Sequence, residues 1–341
     1  MKTLTAAIAN RLALLDVYAF LRKKITGSLV AIVLYHQVCP PEATWIPYAI
    51  SPHSFEMQIE YFCRNYELLS LDTLATCIQS GESLPEKAVV ITFDDGQKDD
   101  YLYAYPILKK YHVPATIFLV TGYVGADKLF WWDRIWYPIQ HTTVKQLTLG
   151  ELGSYCLRTQ PDRVHTTLRI SEALKKLPED KKNLLIEKLV QTCSVDIPPD
   201  LSKELSLSWD EIREMSNAGI AFGAHTVNHP ILTNIPLAQA RWEITQSKEV
   251  IERRLGKEVT TFAYPNGNFA DFNTDIAEVI KESGFKCAVT VSPMRLVSSK
   301  DNPYTLSRIC PLEDFNKFKI MLCGLWGDFN TIFNRKGNDN E

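Results

Sequence analysis

The stretch Ala88-Val89-Val90-Ile91-Thr92-Phe93-Asp94-Asp95-Gly96 is an unbroken apolar and β-branched run that ends in two adjacent carboxylates and a glycine. Such a run, bounded by turn residues, predicts a strand covered on both faces, as in the middle of a parallel sheet. Neighbouring side chains of a strand point to opposite faces. Asp94 and Asp95 can therefore share one pocket only where the chain is already turning, which Gly96 permits. Two carboxylates in one pocket repel each other unless one is neutralised. A divalent cation on one of them would leave the other ionised beside it as a base. Taken alone, Asp-Asp-Gly is equally a water-facing turn.

Working outward, Ser28 to Val38 reads as a second buried strand with Tyr35 and His36 near its exit. A helix over Ser54–Tyr66 capped by Ser54, a strand over Glu67–Ser70 and a helix over Leu71–Gly81 precede the central stretch. A helix over Lys98–His112 and a strand over Ala115–Val124 follow it. The rhythm breaks from about 127 to 205. There the cluster Phe130-Trp131-Trp132-Asp133-Arg134-Ile135-Trp136-Tyr137 leads into charged helical stretches, which predicts a helical insertion. Its tryptophans suit a sugar-stacking wall and suit packing against the main body equally.

Alternation resumes with a helix over Ser208–Ala218, with Ser208 and Glu211 spaced as a capping box. The strand Ile220–Ala224 then ends in His225-Thr226-Val227-Asn228-His229. A helix over Leu237–Leu255, a strand over Thr260–Tyr264 ending in Pro265-Asn266-Gly267, a helix over Asn273–Ser283, a strand over Lys286–Val291 and a strand over Tyr304–Cys310 complete the series. About seven strands alternating with helices predict an α/β fold, a distorted (β/α) barrel of parallel strands. The barrel is expected over 28–126 and 206–323, the insertion over 127–205, an amphipathic helix over 1–27 and a disordered polar tail over 334–341. In such barrels chemistry sits at the C-terminal ends of the strands. His36, Asp94, Asp95, His225, His229 and the Pro265 turn all fall there.

The composition excludes little but is consistent. With 37 Lys+Arg against 40 Asp+Glu in 341 residues, the formal charge of -3 gives no reason to expect a nucleic-acid surface. The eight cysteines contain no Cys-x-x-Cys pair and lie in apolar segments, so reduced core thiols are expected. No run approaches the ~18 apolar residues of a spanning helix, and residues 1–27 lack the apolar core of a signal peptide. A cytoplasmic protein is the expectation. Lys2, Arg11, Arg22, Lys23 and Lys24 give the first segment a basic side that could rest on anionic lipid, making residues 1–26 a candidate peripheral membrane contact.

Two histidines and a carboxylate are a common catalytic metal set with positions left for water and substrate. His225 and His229 lack the Glu of His-Glu-x-x-His and follow a strand, which disfavours the metalloprotease helix. The motifs Thr92-Phe93-Asp94-Asp95-Gly96, His225-Thr226-Val227-Asn228-His229 and Ala263-Tyr264-Pro265-Asn266-Gly267 resemble those of the polysaccharide deacetylase superfamily, carbohydrate esterase family four. The likeness covers roughly 28–125 and 206–311. It implies that Asp95, His225 and His229 hold a divalent metal, usually zinc, with Asp94 as general base and the backbone N–H of Asn266 as an oxyanion donor. Tyr264, in the same motif, is a candidate substrate contact. Tyr35-His36 resembles the corresponding pair of the poly-N-acetylglucosamine deacetylase branch, which implies a protonated His36 as general acid.

Three positions depart from the family pattern. The arginine of the third motif is Ala263 here, and Arg308 is the candidate replacement. Gln97 stands where an aromatic residue often follows the Asp-Asp-Gly turn. The tryptophan-containing fourth motif is not recognisable near Val289–Met294. The function implied is metal-dependent removal of an N-acetyl group from an amino sugar of a cell-envelope glycan, oligosaccharide or lipid-linked precursor. A deformylase or O-acetyl esterase would use the same residues, and an inactive glycan-binding module on the same fold is the rival from another class.

Overall fold

The computed structural model describes residues 28–41 and 49–324. The expected N-terminal helix and the polar tail lie outside the described residues.

The central strand forms as its sequence dictates. In chain order the strands are β1 (Val30–Tyr35), β2 (Glu67–Leu69), β3 (Ala88–Phe93), β4 (Ala115–Leu119), the short pair β5 (Gln146–Thr148) and β6 (Ser154–Cys156), β7 (Ala221–Ala224), β8 (Thr261–Ala263), β9 (Cys287–Thr290) and β10 (Leu306–Ser307). The main sheet runs β1-β3-β4-β7-β8-β9-β10, with β2 also paired to β3. Every pairing in it is parallel. Ile309 closes it against β1: its N–H donates to the Ile32 carbonyl at 2.8 Å, and the Leu34 N–H donates to the Ile309 carbonyl at 2.9 Å. The result is an α/β fold in which seven parallel strands make a nearly closed, distorted barrel. All six residues of β1 and of β3 are buried, as expected of strands covered on both faces.

The helices are α1 (Pro52–Asn65), α2 (Leu71–Ser80), α3 (Tyr105–Tyr111), α4 (Asp133–His141), α5 (Gln160–Leu174), α6 (Glu179–Cys193), α7 (Leu201–Leu205), α8 (Trp209–Asn217), α9 (Leu237–Leu255), α10 (Thr274–Glu282) and α11 (Phe315–Leu322). The Ser208/Glu211 capping box forms at the start of α8. Elsewhere local chemistry moves the boundaries. Pro52 takes the first position of α1, so Ser51 rather than Ser54 is the cap and accepts from the Ser54 N–H at 3.2 Å. Ahead of α3 the chain winds as a wide π turn over Asp100–Ala104, next to Pro106, which has no N–H to continue an α pattern. The last strand is only two residues long because Pro303–Thr305 form a 3-10 turn.

Within the insertion, α4, α5, α6 and the antiparallel β5-β6 pair bury a cluster of their own that includes Ile135, Ile139, Leu147, Leu157, Ile170, Leu174, Ile186 and Leu189. The eight thiols are free, but not all are core: Cys63 and Cys156 are exposed. They sit on helix and strand faces turned to water, which a count of apolar neighbours in sequence does not resolve. Among the described residues no helix is long and apolar enough to cross a membrane.

Candidate active site

At the exit of β3 the backbone turns through two successive left-handed residues, Asp95 (φ 73°) and Gly96 (φ 70°). This places both carboxylates in one cleft. The left-handed φ favours glycine at 96, and a Cβ there would lie 2.8 Å from Leu119 Cδ2, whose side-chain end would have to shift.

At the exit of β7, the His225 N–H donates to the Leu119 carbonyl at 3.0 Å, continuing the ladder with β4. The loop then folds back on itself: the Thr226 hydroxyl accepts from the His229 N–H at 2.9 Å. Two buttresses hold it. The N–H groups of Thr121 and Gly122 donate to the carbonyls of Thr226 (3.1 Å) and Val227 (2.9 Å). From α9, the buried Glu243 carboxylate accepts from the N–H groups of Val227 (2.8 Å) and Asn228 (2.9 Å) and from Asn228 Nδ2 (2.9 Å). Sequence reasoning missed Glu243. The available signal was a glutamate on the apolar face of α9, in register with Ala240, Ile244, Ser247 and Ile251.

The loop brings His225 Nε2 to 3.6 Å and His229 Nε2 to 3.5 Å from Asp95 Oδ1. Asp95, His225 and His229 are the cluster among the described residues whose ligand atoms lie within 4.8 Å of one another. Their state suits a cation. His225 Nδ1 lies 2.7 Å from the Ala263 carbonyl, which fixes the proton on Nδ1 and leaves Nε2 as a lone pair toward Asp95. Burial pushes both imidazoles below their ordinary pKa, toward the neutral form that a cation can bind. Asp95 Oδ1 is buried without a hydrogen bond, and burial, then the neighbouring Asp94, pushes its pKa up. A cation at this point would supply the missing partner.

Asp94 is in the opposite state. Both its oxygens accept from Arg308, Oδ1 from Nη1 and Oδ2 from Nη2, each at 2.7 Å. Arg308 is wholly buried and also donates from Nε to the Thr290 carbonyl at 3.2 Å. Burial raises the pKa of Asp94, but Arg308 and then His225 outweigh it and bring it down to about 2. Asp94 is thus an ionised carboxylate with its orientation fixed by a bidentate fork. Because its folded pKa lies below the unfolded value, the stability it contributes is complete above about pH 4 and is lost as pH falls toward 2. Arg308→Gln is expected to let burial win and raise the Asp94 pKa, moving the acid limb of the kcat/KM profile upward by at least about one pH unit. A pH-rate series on the variant checks this; an unmoved limb contradicts it.

His36 faces the same cleft just past β1. Burial holds its pKa down at about 4, against the pull of Asp94. Burial thus works against the charged form that the general-acid role requires, and Asp94 works for it. The chain beyond it is anchored by Asp99, whose Oδ2 accepts from the Val38 N–H at 2.9 Å, a contact sequence reasoning also missed. Asn266 lies in the left-handed region (φ 57°) and lines the cleft. Tyr264 does not. It is fully buried, stacks on Phe272 at 4.7 Å and donates its hydroxyl to the Tyr304 carbonyl at 3.0 Å, because as the residue just past β8 it points into the core. That corrects its assignment as a substrate contact.

Trp131 and Trp132 border the cleft, and the Trp132 ring lies edge-on to His229 at 5.0 Å. The insertion therefore reaches the site.

The support of the histidine loop is itself testable. A Cβ at position 122 would lie 2.5 Å from the Val227 carbonyl oxygen. Gly122→Ala is expected to displace the loop and weaken divalent-metal binding by about 10-fold to 100-fold, the usual effect of disturbing groups that orient metal ligands. Titration calorimetry of the metal against both proteins reads this; equal affinities contradict it.

A β/α barrel that gathers an Asp-His-His cluster and an arginine-held carboxylate at its strand exits is an architecture that can hold a divalent cation beside an ionised acid. Residues 81–288 match the polysaccharide deacetylase family model. The poly-beta-1,6-N-acetyl-D-glucosamine N-deacetylase of Staphylococcus aureus is 38% identical over 269 residues, 78% of this chain and 69% of that protein. Among solved structures, IcaB from Ammonifex degensii superposes with a TM-score of 0.57 at 19% identity, covering 89% of this chain and 98% of that one. The Streptococcus pyogenes deacetylase PplD in complex with acetate gives 0.56 at 22%, covering 84% and 93%. The chain belongs to the polysaccharide deacetylase family and is a carbohydrate deacetylase.

Proposed function

We propose that the enzyme hydrolyses the N-acetyl group of N-acetylglucosamine units in a glycan. The observation that carries this reading is the pairing of a buried Asp95-His225-His229 cluster with an ionised Asp94 in one cleft. The substrate class is supported by the 38% identical relative, whose name states poly-β-1,6-N-acetylglucosamine. Asp95, His225 and His229 would hold a divalent cation, and two neutral imidazoles with one carboxylate suit zinc. When bound, that cation supplies Lewis acidity and lowers the pKa of water toward ~7.

The chain's own groups do the rest. Asp94, held by Arg308, accepts the proton of the attacking water, and its fixed orientation means that no rotamer search precedes the transfer. Asn266 lines the cleft with a left-handed backbone, and its N–H would be the donor to the oxyanion. An amide nitrogen leaves poorly as an anion, so a proton must reach it. His36, which lines the same cleft, would be the donor: as an imidazolium it gives its proton to the leaving nitrogen as the C–N bond breaks, and the proton that Asp94 took from water restores it. Acetate and a free amine are the products.

The reading is tested by incubating zinc-reconstituted protein with N-acetylated, N-formylated and O-acetylated glucosamine oligosaccharides. Acetate release with a matching yield of free amine from the N-acetylated series supports it. Preferential formate release, or acetate without new amine, replaces it by a deformylase or an esterase.

A further inference from the structure

A second cavity, of about 650 Å³, lies beside the active cleft. Trp131 lines both, and the histidine loop contributes to both, with His229 on the cleft and Asn228 and Pro230 on the cavity. The volume falls within the ~300–1,000 Å³ of pockets that take small organic ligands. Lys128, Arg134 and Lys182 line it, as do Asp127, Glu179 and Glu243. Each of the acids is engaged. Glu179 pairs with Lys182, the Glu243 carboxylate accepts from Asn228 and from the Val227 N–H, and the largely exposed Asp127 meets Lys203 at 3.8 Å.

Two of the cations are not matched in this way. Lys128 has neutral partners: its Nζ donates to Asn228 Oδ1 at 3.0 Å and lies 4.3 Å from the centre of the Tyr123 ring. Arg134 is half-buried, and among the described residues its side chain makes no hydrogen bond or ion pair. Its charge reaches Lys128. Partial burial pushes the pKa of that ammonium down, Glu243 pulls it back up, and Arg134 pushes it further down. A half-buried guanidinium without a partner is a planar fork suited to an oxyanion, and a second cation beside it favours a doubly charged one. The amides of Asn183 and Gln239 also line the cavity with side chains unbonded among the described residues, and can pair with hydroxyls. A bare phosphate ion would leave most of the 650 Å³ unfilled. We propose that this cavity binds a sugar phosphate, with the phosphate on Arg134 and Lys128 and the sugar hydroxyls on Asn183 and Gln239.

The test is titration calorimetry of the full chain with N-acetylglucosamine 1-phosphate, N-acetylglucosamine and inorganic phosphate. It is run after chelation, so that no cation on the histidines can take the anion. Binding is then read without turnover, and its outcome is independent of the deacetylase reading. The sugar phosphate is expected to bind at least about tenfold tighter than either other probe. Arg134→Gln should bring it down to the level of the neutral sugar, Arg134→Lys should restore part of the difference, and Lys128→Gln should weaken it about threefold or more. Thermal midpoints show whether the variants fold. Should Arg134→Gln fail to do so, Lys128→Gln, at the exposed part of the cavity, decides alone. Equal affinity for the sugar and its phosphate overturns the proposal, as does a preference for phosphate that neither variant reduces. Inorganic phosphate binding as tightly as the sugar phosphate overturns the sugar as occupant.

Discussion

Asp94→Asn is expected to lower kcat by about 10²–10⁴-fold while the bound metal stays stoichiometric. The amide keeps the size of the carboxylate and touches none of the Asp95, His225 and His229 ligand atoms, but it cannot accept the proton of water. Its second effect is on stability. Arg308 is wholly buried against Asp94 through two 2.7 Å bonds, and removing the charge of one partner leaves the guanidinium uncompensated. Breaking such a buried pair costs on the order of 3–5 kcal/mol. A thermal melt should therefore show a lower midpoint for Asp94→Asn. Asp94→Asn/Arg308→Met should recover much of that stability without recovering turnover, which separates the chemical role from the structural one. An Asp94→Asn enzyme that keeps more than a tenth of wild-type kcat would show that another group is the base.

His229→Ala is expected to abolish turnover to background and to reduce divalent-metal affinity by several orders of magnitude, since it removes one of the three proposed ligands. The fold should survive, because His229 sits in a loop whose position is set by Glu243 and by the β4 carbonyl contacts and not by its own ring. The pH dependence follows from the same geometry. Burial holds the pKa of His225 and His229 below the usual 6.5, so protons compete with the metal only at lower pH than for free imidazole. Metal retention measured by dialysis across pH 4–7 should accordingly fall off at lower pH than retention by free imidazole. Retention of both metal and turnover by His229→Ala would remove the histidine from the ligand set.

Much of this site was legible in the chain because parallel strands announce themselves. A β-branched run that stops at Asp94-Asp95-Gly96, and a second that stops at His225, state both the strand and its exit, and a barrel sends all exits to one rim. The parts that were not legible depend on contacts between distant segments. Arg308 lies 214 positions from Asp94, and nothing in its own neighbourhood distinguishes a barrel-end arginine from a buried fork. Glu243 lies on a helix whose composition is mostly polar, and its purpose is visible only once the Val227 and Asn228 N–H groups are seen beneath it. Tyr264 was misread for the converse reason. Its motif neighbours turn into the cleft, but alternation along the strand sends its side chain into the core. The balance of burial and charge at His36 could not be read either, because desolvation is a property of what surrounds a group, and part of that cleft comes from other strands and from the insertion.

The insertion shows how far pattern alone goes. Its helices follow from periodicity, and its aromatic cluster is conspicuous, but whether those rings pack or bind is a matter of placement. Phe130 stacks between Tyr123 (4.1 Å) and Trp132 (4.4 Å), and Trp132 in turn meets His229. One end of the stack is core and the other is active-site wall.

On the proposed reading, Asp95, His225 and His229 bind the cation on which hydrolysis depends. The most direct measurement is elemental analysis of the purified protein, before and after chelation and zinc reconstitution, with acetate release from N-acetylglucosamine oligosaccharides assayed on the same samples. The account predicts one divalent ion per chain, loss of acetate release with its removal, and recovery of both on reconstitution. Full acetate release from protein that holds no divalent ion would contradict it.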